Sequence, residues 1–404
     1  MPDVTGFLPS TRGFSFGNSW PPQPDKVIPT PFGDIAIGDA SNGLCGGMVF
    51  AARDYFQAGM VRPSGRQPTF GQPLYDFIVD RLFASFDLPN GPTKYYDWMT
   101  TSDHDTWFKT GLAHRTILEE WPKIKNDLDN GRLSSLALVT LFSLNPGDMG
   151  NNHQVLAYGY DLGADGILTL KLYDPNSPLD DNIRLSLSLN NPAHTTPISH
   201  NVNIAHPIRG FFHIPYQWVS PPQIDDAEII TFLAPQSMPT GANSTVTLQV
   251  QNTGTTTWTP GGSNPYRLGS QRPQDNMTWG LSRVELPRIV NPTETVDFIF
   301  TVTAPAVGGQ IPMGWRMVRE LVQWFGELED RSVNVIGAIV PADPCDQLRS
   351  EILDAKQEIL DLQAELRDAA GPGKAFIASQ IKRKQAELTK LHNEATTQGC
   401  SNIP

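Results

Sequence analysis

Cysteine is scarce in this chain: three residues in 404 are too few for a scaffold built on disulfides. No apolar run approaches the ~18 residues that would cross a bilayer as a helix. Dense lysine and arginine runs are missing as well, and the formal charge is −12. Nucleic acid and anionic membrane surfaces are therefore poor partners. The opening Met1-Pro-Asp-Val-Thr-Gly6 lacks the basic and apolar regions of a secretory leader. No histidine pair has the spacing or carboxylate company of a zinc site, so neither a metal nor a cofactor is expected. His104, His114, His194, His200 and His206 read as surface or loop histidines.

Glycine and proline, by contrast, are abundant, at 34 and 35 residues, which predicts many turns and much β structure. The length exceeds what one core usually organises, so two or three domains are expected. Residues 1–40 read as an extended N-terminal strap. Helical spacing begins at Cys45 and runs to about Ala58, and recurs over Tyr75–Phe83 and Thr116–Asn126. The stretch Tyr95–Trp107 between the last two reads as aromatic and irregular. Apolar strands follow at 136–142, 153–160, 167–173, 183–189 and 210–215, with Asp161-Leu-Gly-Ala-Asp-Gly166 as a hairpin turn. Helices first and antiparallel sheet afterwards define an α+β domain over 41–220.

Between 227 and 337 the period changes to two. Val246, Leu248 and Val250 alternate with polar residues, as do Val296, Phe298, Phe300 and Val302. About seven short strands in this span predict an immunoglobulin-like sandwich. Beyond it, Leu348, Ile352, Ala355, Ile359, Leu362 and Leu366 form a heptad seam. Gly371-Pro-Gly373 breaks it, and Ile377 to Ala395 repeat it with Lys384 as one polar intrusion. The first arm carries seven acidic and three basic residues, the second five basic and two acidic. An antiparallel helical hairpin over 345–400 follows, with Cys345 and Cys400 at its open end as a disulfide. Such a hairpin serves as a stabilising appendage or as a surface for self-association.

Cys345 and Cys400 bracket the C-terminal segment, which leaves Cys45 as the unpaired cysteine. It follows the glycine-rich Asn42-Gly-Leu44 and opens a helix, where the dipole and unpaired N–H groups favour a thiolate. If strands 153–160 and 167–173 pair through the 161–166 turn, their outer ends meet and His153 lies beside Asp174. Cysteine, histidine and aspartate are the parts of a thiol hydrolase. Asn176 is a second residue able to orient the histidine. The Cys45 N–H, helped by Asn42, is the candidate oxyanion donor.

On Gly43-Leu-Cys45-Gly-Gly-Met48, His153-Gln-Val-Leu-Ala-Tyr-Gly-Tyr160 and Tyr173-Asp174-Pro-Asn176, the chain resembles the papain-like cysteine peptidases, in the group that includes bacteriocin-processing and related bacterial enzymes. The resemblance covers about residues 20–217. It implies Cys45 as nucleophile, His153 as general base and acid, and Asp174 as the orienting residue. Two departures stand out. Asp39 occupies the place of the family's usual oxyanion glutamine, and Gly46-Gly47-Met48 replaces the aromatic residue that follows the papain nucleophile. The second domain, with Trp258, Trp279, Trp315 and Trp324, resembles the four-tryptophan domain of selective-autophagy receptors and many bacterial proteins. That resemblance implies a module that binds proteins or peptides, with the tryptophans as candidate contacts, although at least two of the four are expected to be core residues because large aromatics bury.

The expected activity is thus a cysteine hydrolase acting on a protein or peptide through a thioester. The same triad would also serve an amidase, a deamidase or a transglutaminase-like acyl transferase. A non-catalytic binding protein on a peptidase-like scaffold is the third reading, favoured by Asp39. For the compartment the signals conflict: a Cys345–Cys400 bridge favours an oxidising, extracellular setting, and the missing leader the opposite.

Overall fold

A computed structural model describes residues 3–21, 26–30, 33–37, 43–87, 90–337, 344–368, 372–401 and 403; Asp39 and Asn42 lie outside them. The chain divides into two compact units, Met1–Pro222 and Gln223–Pro404.

The first unit opens with the short helix α1 (Pro9–Arg12) and a two-stranded hairpin, β1 (Lys26–Thr30) against β2 (Gly33–Ile37). The residues expected as a strap are anchored by aromatics: Phe7, Phe14, Phe16 and Trp20 are all buried. Phe7 packs edge-on against Phe56, with ring centroids 5.3 Å apart, and Phe14 stacks on Phe16 at 5.1 Å. Helix α2 (Cys45–Gln57) is buried on nearly every side, so its sequence shows only a weak polar face. It packs against α3 (Pro73–Ser85).

The segment expected to be irregular instead begins with a helix, α4 (Asn90–Met99). The reason lies in Tyr95, Trp98 and Met99, which are all buried; Tyr95 and Trp98 meet Phe212 at 4.9 and 5.1 Å. Tertiary burial of an aromatic face overrides the weak local propensity of such residues. A third helical region runs from α5 (Leu112–His114) through a π-helical turn, Arg115–Glu120, into α6 (Trp121–Asp129).

These helices flank one six-stranded antiparallel sheet. It contains β3 (Ser134–Val139), β4 (His153–Leu162), β5 (Ile167–Tyr173), β6 (Arg184–Ser188), β7 (Ser199–His200) and β8 (Gly210–Ile214), in the order β7-β6-β5-β4-β3-β8. His200, expected in a loop, belongs to the short edge strand β7. Every residue of β3 and the first eight of β4 are buried. Both strands lie inside the sheet, are covered on both faces and read as largely apolar runs for that reason.

The second unit begins with a β-sandwich. One sheet holds β9 (Ala227–Leu233), β11 (Asn243–Asn252) and β14 (Thr295–Thr303). The other holds β10 (Ser237–Pro239), β12 (Tyr266–Gln271), β13 (Arg283–Glu285), β15 (Gly309–Arg319) and β16 (Gln323–Ile336). Strand β14 alternates strictly between exposed and buried along all nine residues, the signature of a strand with one face on the core. Helices α7 (Pro344–Asp368) and α8 (Pro372–Thr397) form the hairpin. Leu348, Ile352 and Ala395 make one core cluster, and Ile359, Ile377 and Ile381 a second. The polar seam residue Lys384 is paired with Glu358 of the opposite arm. Cys345 and Cys400 form the disulfide, with Cα atoms 5.4 Å apart.

Candidate active site

Cys45 is the first residue of α2, with Leu44 before it in a non-helical conformation and Gly43 at φ +81°. It is half-buried and is the free cysteine of the chain. The two glycines that follow it have a spatial cause. A Cβ on Gly47 would stand 2.0 Å from the carbonyl oxygen of Ile78, and one on Gly46 would stand 2.3 Å from Ser85 Oγ and 2.5 Å from Gln154 Oε1. Helix α3 and strand β4 thus approach the first turn of α2 so closely that only glycine fits. No room exists there for the aromatic residue seen in papain.

His153 is the first residue of β4 and is buried, as is Asp174, which directly follows β5. The His153 Nε2 and Asp174 Oδ1 atoms are 2.7 Å apart. Their meeting depends on an irregularity. From Leu162↔Leu168 to Gly159↔Lys171 the β4–β5 ladder keeps one register; beyond Tyr158 it slips by one, to Ala157↔Leu172 and Leu156↔Tyr173. Continued one step, the register sets Asp174 opposite Val155, on the face that carries His153. Without the bulge Asp174 would stand opposite Leu156 and face the other way.

With Nε2 committed to Asp174, Nδ1 is the other ring nitrogen, and Cys45 lies near enough for its charge to act on the imidazole. Burial works to lower the His153 pKa. The negative charge of Cys45, then the hydrogen bond and charge of Asp174, outweigh it and raise the value to about 10. Burial likewise works to raise Asp174, but the His153 bond and charge, with the N–H groups of Asn203 and Asn176, hold it below the usual carboxylate range. Those N–H groups donate to Oδ2 and Oδ1, each at 2.9 Å.

Asn176 is employed in fixing this loop. Its Nδ2 donates to Asn203 O at 2.8 Å, Asn203 Nδ2 donates back to Asn176 O at 3.0 Å, and its Oδ1 accepts from Asn18 Nδ2 at 3.0 Å. Its backbone N–H and side chain thus hold the loop that carries Asp174. Asn42, the other expected donor, lies outside the described residues.

Three contributors were not legible in the sequence. Asn18 joins the two halves of the site: its Oδ1 accepts from Leu44 N at 2.5 Å while its Nδ2 holds Asn176. Nothing in Gly17-Asn-Ser-Trp20 signals this, because the contact spans 158 residues. Gln154 is buried beside Gly46, and its Oε1 has no hydrogen-bond partner among the described residues. Tyr95 is buried nearby; burial first, then the Cys45 charge, pushes its pKa up.

At least two of the four tryptophans of the second unit are expected in its core, and three lie there. Trp258, Trp279 and Trp315 are buried in the sandwich core, so they present no surface to a partner. Trp279 Nε1 donates to Pro312 O at 2.8 Å, and Trp315 packs edge-on against Phe300 at 4.8 Å. Large aromatics bury because they carry the most apolar area. Only Trp324 of the four remains half-exposed, lying over Gly269 with the Arg283 guanidinium 4.9 Å from its ring.

Residues 231–334 match the family model described as the Ig-like domain from next to BRCA1 gene, and this part of the chain is an Ig-like domain. The chain is also similar to Protein ILRUN of Danio rerio, 27% identical over 128 residues. That match covers 32% of this chain and 43% of the relative, so the chain spans less than half the relative's length.

Proposed function

We propose that the first unit is a papain-like cysteine hydrolase in which Cys45 is the nucleophile, His153 the proton carrier and Asp174 its anchor. The observation that supports this reading is His153 held at Nε2 by a buried carboxylate at 2.7 Å, with Cys45 near enough for its charge to raise the His153 pKa. In the reaction, Cys45 Sγ adds to a peptide or isopeptide carbonyl, and the proton it gave to His153 Nδ1 passes to the leaving amine. Water, deprotonated by the same nitrogen, then releases the acyl group from the thioester. Asp174 stays ionised throughout and fixes the ring's tautomer and plane. In this reading the Ig-like domain recognises the protein that is cleaved.

Iodoacetamide alkylation across pH tests it, because with Cys345 and Cys400 bonded the protein has one reactive thiol. The intact protein is expected to alkylate at pH 6 within a few fold of its rate at pH 8, unlike an ordinary thiol of pKa ~8.5. His153→Ala should slow the pH 6 rate at least about tenfold, and Cys45→Ala gives the blank. The same pH profile with and without His153 would remove the catalytic assignment.

A further inference from the structure

Strand β14 (Thr295–Thr303) lies at an edge of its three-stranded sheet, paired with β11 over its whole length without a register shift. The other edge strand, β9, pairs with β11 through a bulge. In the facing sheet, the edge strands β10 and β13 are only three residues long. Bulges and short strands, with lysine and proline, are the usual protections of an exposed edge. Strand β14 has none of them.

Three contacts show which backbone groups look outward. Glu294 O accepts from Asn252 N of β11 at 2.9 Å, so the even-numbered residues bond β11 and the odd-numbered ones face the free edge. On that edge Thr303 N donates to Trp279 O at 3.0 Å, and Arg288 Nη2 donates to Thr295 O at 2.5 Å. Between these two ends, no partner for the N–H and C=O groups of Asp297, Ile299 and Thr301 is found among the described residues. Their side chains are exposed as well, and Ile299, at 68%, is the most exposed apolar residue of this sheet.

We propose that this edge pairs with β14 of a second copy of the chain, antiparallel about a two-fold axis at Ile299. The strand is self-complementary: Thr295-Val-Asp-Phe-Ile299-Phe-Thr-Val-Thr303 reads the same in both directions except at Asp297 and Thr301. Pairing centred on Ile299 sets Ile299 against its own copy and each Asp297 against a Thr301. Every free N–H and C=O of the three residues then finds a partner on the other strand. Each carboxylate meets a hydroxyl rather than a second carboxylate, so no like charges stand opposite one another. The ladder ends where Arg288 and Trp279 already hold Thr295 and Thr303. One patch meeting itself is what a closed two-fold dimer requires. A foreign strand would have to match this register, whereas a second copy carries it.

The test is sedimentation equilibrium of the full chain. So short a ladder buries less than the ~1,200 Å² of a standard interface, and a Kd between about 1 μM and 1 mM is expected. Ile299→Lys opposes two ammonium groups at the axis and should weaken dimerisation at least about tenfold. Thr301→Lys places an ammonium opposite Asp297 of the second copy at both ends, and should tighten the dimer several fold at low salt. Thr301→Asp sets two carboxylates opposite and should weaken it by a similar factor. All three substitutions are at exposed positions, so the fold is kept, checked by near-ultraviolet circular dichroism. The inference is overturned if the intact chain stays monomeric up to about 1 mM. It is equally overturned if Ile299→Lys self-associates like the parent, or if the two Thr301 variants do not shift the equilibrium in opposite directions; the contact then lies elsewhere, as on the helical hairpin.

Discussion

Asp174 shares a face of the sheet with His153 because β4 carries one residue, Tyr158, that β5 does not match. The bulge is itself supported: Val4 N donates to Tyr158 O at 2.7 Å, and Asp3 forms an isolated bridge to Gly159. The first residues of the chain therefore act on the site at a distance, through strand register rather than contact.

Removing the carboxylate should expose what this arrangement is worth. Asp174→Ala leaves a buried imidazolium without its partner and the N–H groups of Asn176 and Asn203 without an acceptor. Breaking such a buried pair costs about 3–5 kcal/mol, measurable by urea unfolding. Asp174→Asn is expected to cost less, since one oxygen can still accept, yet to slow Cys45 alkylation at pH 6. Equal losses of stability in the two variants would contradict the role given to the carboxylate.

Stability should also follow pH in a defined way. The folded pKa of His153 stands at about 10, above the ordinary 6.5, so its contribution is complete below pH 6.5 and fades as pH climbs toward 10. Asp174 is held below its ordinary 3.8, so its share is complete above that value and lost on further acidification. The difference in unfolding free energy between the parent and His153→Ala/Asp174→Ala should therefore be largest between about pH 4 and 6.5. Cys45→Ser should move the alkaline decline to lower pH, because the Cys45 charge is the largest influence holding the imidazole protonated.

Close helix packing gives a sharper steric prediction. Gly47→Ala puts a methyl 2.0 Å from the backbone oxygen of Ile78, and backbone cannot rotate away as a side chain can. Overpacking of this kind costs about 1–3 kcal/mol, and the upper end is expected. Gly17→Ala, with nothing within 4 Å of the added carbon, is the control and should melt with the parent.

Much of this was written in local pattern. The order of helices and strands, the alternation of β14 and the heptad seam follow from spacing within short windows, and the β4–β5 hairpin brings His153 and Asp174 to the same end of the sheet. The remainder was not local. Helix α4 forms because Tyr95 and Trp98 find Phe212, more than a hundred residues on. Burial of at least two of the four tryptophans follows from their apolar area, but nothing local tells which three fill the core. The bulge at Tyr158 has no compositional mark beyond Gly159, and without it the hairpin argument would have placed Asp174 on the wrong face.

Reduction should act on the hairpin alone. The Cys345–Cys400 bond closes a loop with a separation of 55 residues, worth about 4 kcal/mol by chain entropy, and the two apolar clusters between the arms are small. Cys345→Ser with Cys400→Ser is expected to lower the melting of the helical signal at 222 nm, while the near-ultraviolet signal of the buried tryptophans keeps its midpoint. A single shared shift of both signals would mean that the hairpin and the sandwich unfold as one.

Asn18 offers the most direct test of how the two halves of the site are held in register. Its Oδ1 satisfies the N–H of buried Leu44, one residue before the thiol, and its Nδ2 bonds Asn176, two residues after the carboxylate. Asn18→Ala strands a buried donor, at about 1–3 kcal/mol, and frees the Cys45 turn from the Asp174 loop. Asn18→Asp keeps the acceptor for Leu44 while losing the donor to Asn176, so it should recover most of the stability. If Asn18 sets the distance between Cys45 and His153, both variants slow alkylation at pH 6 although only one is unstable. If it serves folding alone, Asn18→Asp alkylates like the parent.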